Sequence, residues 1–273
     1  MADLGELLSR DESLDDLILG GLKIIQARQG YRFSLDSVLL AHFPDLGGVA
    51  QAVDLGTGSG VIPLILGARS PGLKVAGIEL QPSMADRARR TMKLNRVEDR
   101  IAIIEADIRK IEKHLSGGCA ELVLSNPPFW KRGQGKVSRN HEQALARHEL
   151  CLELGEVWHK GSYLLKPGGR MAVIQPVSRM LESLAHMEKE GLGICRLRMV
   201  HAFREREAGL VLLEGVKQKR PVLKILPPLI IYTDGGGYSQ EIRDWYGRMG
   251  PEHKQRHLSR RWARLQRGDS HAR

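Results

Sequence analysis

Residues 50–60 read Ala-Gln-Ala-Val-Asp-Leu-Gly-Thr-Gly-Ser-Gly: a short apolar strand that turns on three alternate glycines and opens an apolar helical stretch. Few architectures can use such a segment. Glycine lets backbone come close to a ligand, and a helix beginning there offers unpaired N–H groups. A dinucleotide site needs its third glycine one residue later, where this chain has Val61, and no Walker-type lysine follows. Downstream, the pattern predicts a helix over 59–69, a strand over 74–80, a helix over 82–95, a strand over 101–105 and a fourth strand ending at 122–125. Strands separated by helices imply βαβ units and a parallel sheet.

Further along, Leu150, Leu154, Val157 and Trp158 fall at helical spacing, with Pro167-Gly168-Gly169 expected to end that helix. Strands are expected over 171–175, 194–203 and 209–216. The apolar stretch 222–232 is interrupted by Pro227-Pro228, which makes it a broken or edge strand. Ser34 reads as an N-cap for the run Val38, Leu39, Leu40, Ala41 and Phe43. The expected fold is α/β and Rossmann-like, with a mostly parallel sheet of about seven strands and helices on both faces. A domain over 46–250 would carry an N-terminal extension, 1–45, packed on the ligand site, and a basic tail, 251–273.

Three acids fall at or just beyond successive strand ends: Asp54, Glu79 and Asp107. In this architecture ligands bind at the carboxyl ends of strands, where an acid can accept hydrogen bonds from ribose hydroxyls. A single acid there is often only a helix cap; three in series beside a glycine turn point to a nucleoside-bearing ligand. Asn126-Pro127-Pro128-Phe129 follows the fourth strand. The Asn126 side-chain oxygen and the Pro127 carbonyl can both accept from one planar NH2 group. The prolines hold the backbone fixed and bring no competing N–H, and the Phe129 ring offers a face to a base.

The 273 residues carry a formal charge of +10 with a pI near 9.7, which favours an anionic partner. Half that excess lies in residues 251–273, where seven Lys or Arg, Arg260 and Arg261 among them, face two acids. Lys131, Arg132, Lys136 and Arg139 follow the Asn-Pro-Pro-Phe turn directly and are candidates for phosphate contacts. Cys119, Cys151 and Cys195 are odd in number and far apart, so neither a disulfide framework nor a metal knuckle is suggested. The acidic opening stretch leads to the expectation of no cleavable leader, and no run of roughly 20 apolar residues occurs in the sequence. A cytoplasmic protein without metal or membrane attachment is expected.

Asp54 to Gly60, Glu79, Asp107 and Asn126 to Phe129 together resemble a class I methyltransferase. The resemblance implies a site for the amino acid and nucleoside of S-adenosylmethionine, made by Asp54, Gly56, Thr57, Gly58, Ser59, Gly60, Glu79, Asp107 and Asn126. Asn-Pro-Pro-aromatic is the signature of enzymes that methylate exocyclic or amide nitrogens. Leu14-Asp15-Asp16-Leu17, Gly20-Gly21-Leu22-Lys23-Ile24-Ile25-Gln26 and Tyr31-Arg32-Phe33-Ser34-Leu35-Asp36-Ser37-Val38-Leu39-Leu40-Ala41 resemble the opening of the bacterial tRNA1(Val) adenine-N6 methyltransferase family. Arg147-His148-Glu149, Leu165-Lys166-Pro167-Gly168-Gly169-Arg170, Pro227-Pro228-Leu229-Ile230-Ile231-Tyr232 and Gly237-Tyr238-Ser239 also resemble segments of that family. The resemblance spans about residues 14–245 and implies a tRNA partner and methylation of the adenine 3′ of the anticodon. Phe129 stands where adenine-N6 enzymes frequently have Tyr, so guanine N2 in ribosomal RNA remains an alternative target. A protein glutamine amide and an RNA-binding module without turnover are the others.

Overall fold

The described part of the chain opens on an antiparallel hairpin, β1 (Glu12–Asp16) and β2 (Lys23–Ala27), which the sequence pattern does not announce. The computed structural model describes residues 7–17, 21–29, 32–127 and 153–246. After the hairpin come α1 (Leu35–His42), β3 (Gln51–Leu55), α2 (Val61–Arg69), β4 (Lys74–Glu79), α3 (Pro82–Leu94), β5 (Ile101–Glu105) and β6 (Ala120–Ser125). Beyond residue 152 the order is α4 (Leu154–Leu164), β7 (Leu165–Pro176), α5 (Met180–Lys189), β8 (Leu192–His201), β9 (Ala208–Lys217), β10 (Lys224–Ile225), β11 (Leu229–Ile230) and α6 (Gln240–Tyr246).

All strands after the hairpin join one nine-stranded sheet in the order β10-β8-β9-β7-β6-β3-β4-β5, with β11 also on β8. Only β9 runs antiparallel to its neighbours. The expected class is therefore correct and the strand count is not. Seven strands are long, and the stretch 222–232 adds two pieces of two residues each, β10 and β11, parallel to β8. Pro227 and Pro228 have no N–H for a ladder and so split it.

Alternation along the strands feeds both faces. Leu122 and Leu124 of β6 join a core with α1, α2 and α6, while Val123 joins another with α4 and α5. Each such side chain, fully buried, contributes roughly 1.5–3 kcal/mol. Trp158 of α4 is among them; its indole N–H donates to Ser183 Oγ at 3.0 Å, and that hydroxyl donates to Gln175 Oε1 at 2.8 Å. The α4 start is held by a capping box between Glu153 and Glu156.

Pro167-Gly168-Gly169 does not end that helix. The helix stops at Leu164, and these residues lie inside β7 at a register shift, with Gly168 at φ 76°. Ser34 occupies the N-cap position of α1, but among the described residues its buried hydroxyl finds no hydrogen-bond partner.

The hairpin is docked on α3 by polar contacts. Both Glu12 carboxylate oxygens accept from the Arg90 guanidinium at 2.7 Å. The Lys23 backbone N–H donates to Asn95 Oδ1 at 3.0 Å, Asn95 Nδ2 donates back to the Lys23 carbonyl at 2.7 Å, and the Ile25 N–H donates to Thr91 Oγ1 at 3.1 Å. Gln26 of β2 then accepts from the Phe33 N–H at 2.9 Å, which fixes the entry to α1. At the other end of α1, His42 stacks on Trp245 of α6, with ring centroids 4.8 Å apart and planes 9° from parallel.

Candidate active site

The sheet order reverses at β3: β4 and β5 extend from one side of it, and β6 and β7 from the other. Such a switch point opens a crevice at the carboxyl ends of its two strands. The glycine turn leaves the end of β3, and Asn126 leaves the end of β6 beside it. Leu55 pairs with Ser125, whose hydroxyl donates to the Leu55 carbonyl at 2.9 Å. The backbone N–H groups of Gly56 and Thr57 both donate to the Ile78 carbonyl at 2.9 Å, which curls the turn over β4. Gly60 sits at φ 86°, and a Cβ there would lie 2.6 Å from the Met92 methyl group. Glycine at 60 therefore serves both the left-handed turn and the close packing of α2 on α3.

Each acid has a distinct environment. Glu79, at the end of β4, accepts from the Gly58 and Gln81 N–H groups at 2.9 Å each, so it shapes the glycine turn. Burial raises its pKa despite those donors. Asp54 is fully buried, and among the described residues neither of its oxygens meets a hydrogen-bond partner. Burial pushes its pKa up to about 7, with the nearby Thr57 hydroxyl easing the shift and Glu79 adding to it. The Thr57 hydroxyl lies close to this carboxylate, but its geometry falls short of a hydrogen bond. A buried carboxylate without a partner is costly and marks a place for one.

Asp107 lies two residues past β5 and caps the 3-10 turn Ile108–Lys113. Its side chain accepts from the Arg109 backbone N–H at 2.9 Å and pairs with the Arg109 guanidinium, which holds its pKa below the usual carboxylate range. Both the capping role and the strand-end position anticipated for this residue are present together. A carboxylate keeps further lone pairs for a ligand amine.

The Asn126 side-chain nitrogen donates to Ser37 Oγ at 3.0 Å, across from the first turn of α1. Pro127 is buried next to it. The sequence reading did not single out Ser37, because no local pattern links residue 37 to residue 126. Pro128, Phe129, Lys131, Arg132, Lys136, Arg139, the segment 147–149, Arg260 and Arg261 lie outside the described residues. Among the described residues no group of His, Cys, Asp and Glu could hold a metal ion, and no helix is long and apolar enough to cross a membrane.

The arrangement combines a backbone cradle, a partnerless buried carboxylate and a fixed amide at one crevice. Residues 35–189 match the family model described as the methyltransferase small domain. The chain belongs to that family. The tRNA1(Val) (adenine(37)-N6)-methyltransferase of Porphyromonas gingivalis is 32% identical over 218 residues, which cover 77% of this chain and 85% of that one. The protein of the same name from Trichodesmium erythraeum is 28% identical, covering 82% and 94%. At this level of likeness the chain also belongs with the tRNA1(Val) methyltransferases. A crystal structure of a predicted O-methyltransferase from Agrobacterium tumefaciens superposes with a TM-score of 0.62 at 22% identity, covering 77% of this chain and 95% of that chain. That likeness establishes the class I fold.

Methyltransferases of this class use S-adenosylmethionine, and the residues present fit it. Its ammonium group is the kind of partner that Asp54 lacks, and its ribose diol suits Glu79 at the neighbouring strand end.

Proposed function

We propose that this methyltransferase acts on the exocyclic N6 amine of an adenine in a tRNA anticodon loop, adenine 37 of a tRNA1(Val)-like substrate. The observation that carries the reading is the Asn126 amide, held at the end of β6 beside the glycine turn of β3 with its nitrogen occupied by Ser37. The other prong of that amide is an acceptor, as an NH2 substrate requires. The names of the relatives support tRNA as its owner.

S-adenosylmethionine supplies an electrophilic methyl group on sulfur. An aromatic amine is a poor nucleophile because its lone pair is delocalised into the ring. Acceptance of both N–H bonds, by Asn126 Oδ1 and the Pro127 carbonyl, favours a pyramidal nitrogen and aims its lone pair. That is catalysis by positioning and fixed dipoles. Pro128 stiffens the turn, and the ring of Phe129 offers a stacking face to a base drawn out of the anticodon loop. Lys131, Arg132, Lys136, Arg139, Arg260 and Arg261 are assigned to phosphate contacts that make binding depend on salt.

The test supplies labelled S-adenosylmethionine with tRNA, ribosomal RNA or release factor, followed by nucleoside and peptide analysis. Label in N6-methyladenosine from tRNA is expected, and Asn126→Ala should lower the rate at least a hundredfold, of the order found for a lost transition-state acceptor or donor. Label confined to N2-methylguanosine or to a glutamine amide would overturn the choice of substrate.

A further inference from the structure

We infer that Ser37 is a positioning residue, one that holds the Asn126 amide in the single orientation able to accept the substrate amine; this rests on the amine-accepting role of Asn126 proposed above. A carboxamide has an acceptor prong and a donor prong of nearly the same size. Rotated by half a turn, Asn126 would point two N–H groups at an incoming NH2, donor against donor. Shape alone does not choose between the two, so a bond to one prong has to.

Ser37 Oγ supplies that bond, 3.0 Å from Asn126 Nδ2. A hydroxyl can donate or accept, and the chemistry required at the far prong selects acceptance here. Both partners are held by the framework. Ser37 lies in the first turn of α1, where Leu35, Val38 and Leu39 are fully buried. Its backbone N–H donates to the Ser34 carbonyl at 3.2 Å. Asn126 follows Ser125, which is tied to the Leu55 carbonyl. The α1 segment therefore takes part in catalysis without touching the reacting atoms.

The test compares wild type, Ser37→Ala and Ser37→Thr in single-turnover methyl transfer to tRNA, with S-adenosylmethionine affinity and thermal unfolding measured alongside. Alanine suits a helix and removes only the hydroxyl. Loss of one hydrogen bond and of amide orientation predicts a roughly tenfold slower transfer step for Ser37→Ala. Cofactor affinity and melting temperature should stay near wild type, and Ser37→Thr, which keeps a hydroxyl, should recover most of the rate. A transfer rate within about twofold of wild type for Ser37→Ala would overturn the assignment. So would a fall in rate accompanied by equal losses of cofactor binding and stability, since that would mark a packing role. Asn126→Ala is run in parallel: if it stays active, the amine-accepting role itself fails, whereas an inactive Asn126→Ala with an unaffected Ser37→Ala removes only the positioning role.

Discussion

Replacing Asp54 by asparagine should free the cofactor-free protein of a loss of stability that grows with pH, and should make the cofactor site worse. The carboxylate is buried without a partner, and its pKa stands at about 7 against an ordinary 3.8. A shift of about 3 units at about 1.4 kcal/mol each corresponds to ~4 kcal/mol between the two protonation states. The sign follows from linkage. A folded-state pKa raised above its unfolded value leaves stability intact below pH 3.8, and stability is lost as pH climbs through about 7. Asparagine does not titrate, so any fixed difference in packing or hydrogen bonding is the same at every pH. Urea unfolding of both proteins from pH 4 to pH 8, without cofactor, should show the variant gaining on wild type by ~4 kcal/mol between pH 4 and pH 7, then running parallel to it. In the same window wild type should bind S-adenosylmethionine more tightly as pH rises, because only the ionised carboxylate pairs with the ammonium. Asp54→Asn should show little of that pH dependence and weaker binding throughout. A stability difference that is flat with pH, or equal cofactor binding by the two proteins, would refute the assignment of Asp54 as an ionisable partner of the cofactor.

Two further outcomes concern the elements that frame the site. Burial holds the His42 pKa down to about 4 from 6.5, so stability present above pH 6.5 is lost as pH falls towards 4, by ~3 kcal/mol. His42→Phe keeps a ring against Trp245 and should flatten that part of the acid-unfolding profile; an unchanged slope would argue against His42 as its source. Glu12→Gln weakens the paired contact with Arg90, where each hydrogen bond to a charged group is worth roughly 1.5–3 kcal/mol. Amide exchange should quicken in β1 and β2 ahead of the central sheet, and exchange that quickens uniformly would contradict local docking.

The central strands were legible because their signal is local. Residues 101–105 are a strand with the expected bounds, and β3, β4 and β6 are within one or two residues of theirs, since each is an apolar run closed by a glycine, acid or Asn-Pro turn. The hairpin was not legible. Glu12-Ser13-Leu14-Asp15-Asp16 has the charge of a loop, and what makes it a strand is its pairing with β2 and the contacts of Glu12, Lys23 and Ile25 with α3. Pro167-Gly168-Gly169 was misplaced for a related reason. Its turn chemistry is real, yet the backbone uses it to shift register at the start of β7 rather than to leave a helix. At the site, residue types announced the glycine turn and the three acids. Composition could not show that Asp54 lacks a partner while Glu79 and Asp107 have theirs, because that depends on which backbone N–H groups the fold brings within reach.

The contact between Ser37 and Asn126 and those that dock the hairpin join distant parts of the chain. Ser37 meets Asn126 across 89 residues, Glu12 meets Arg90 across 78 and Lys23 meets Asn95 across 72. Closing loops of that size costs entropy before any contact is gained, so such pairings form late in folding. The N-terminal hairpin can dock as soon as α3 is made, but Ser37 meets Asn126 only after β6 has been made and inserted between β3 and β7. A nascent or partly opened chain can thus hold a formed glycine turn while Asn126 still lacks its contact with Ser37. If Ser37 aims that amide as proposed, methyl transfer should appear only once β6 is in place, at the end of folding rather than along it.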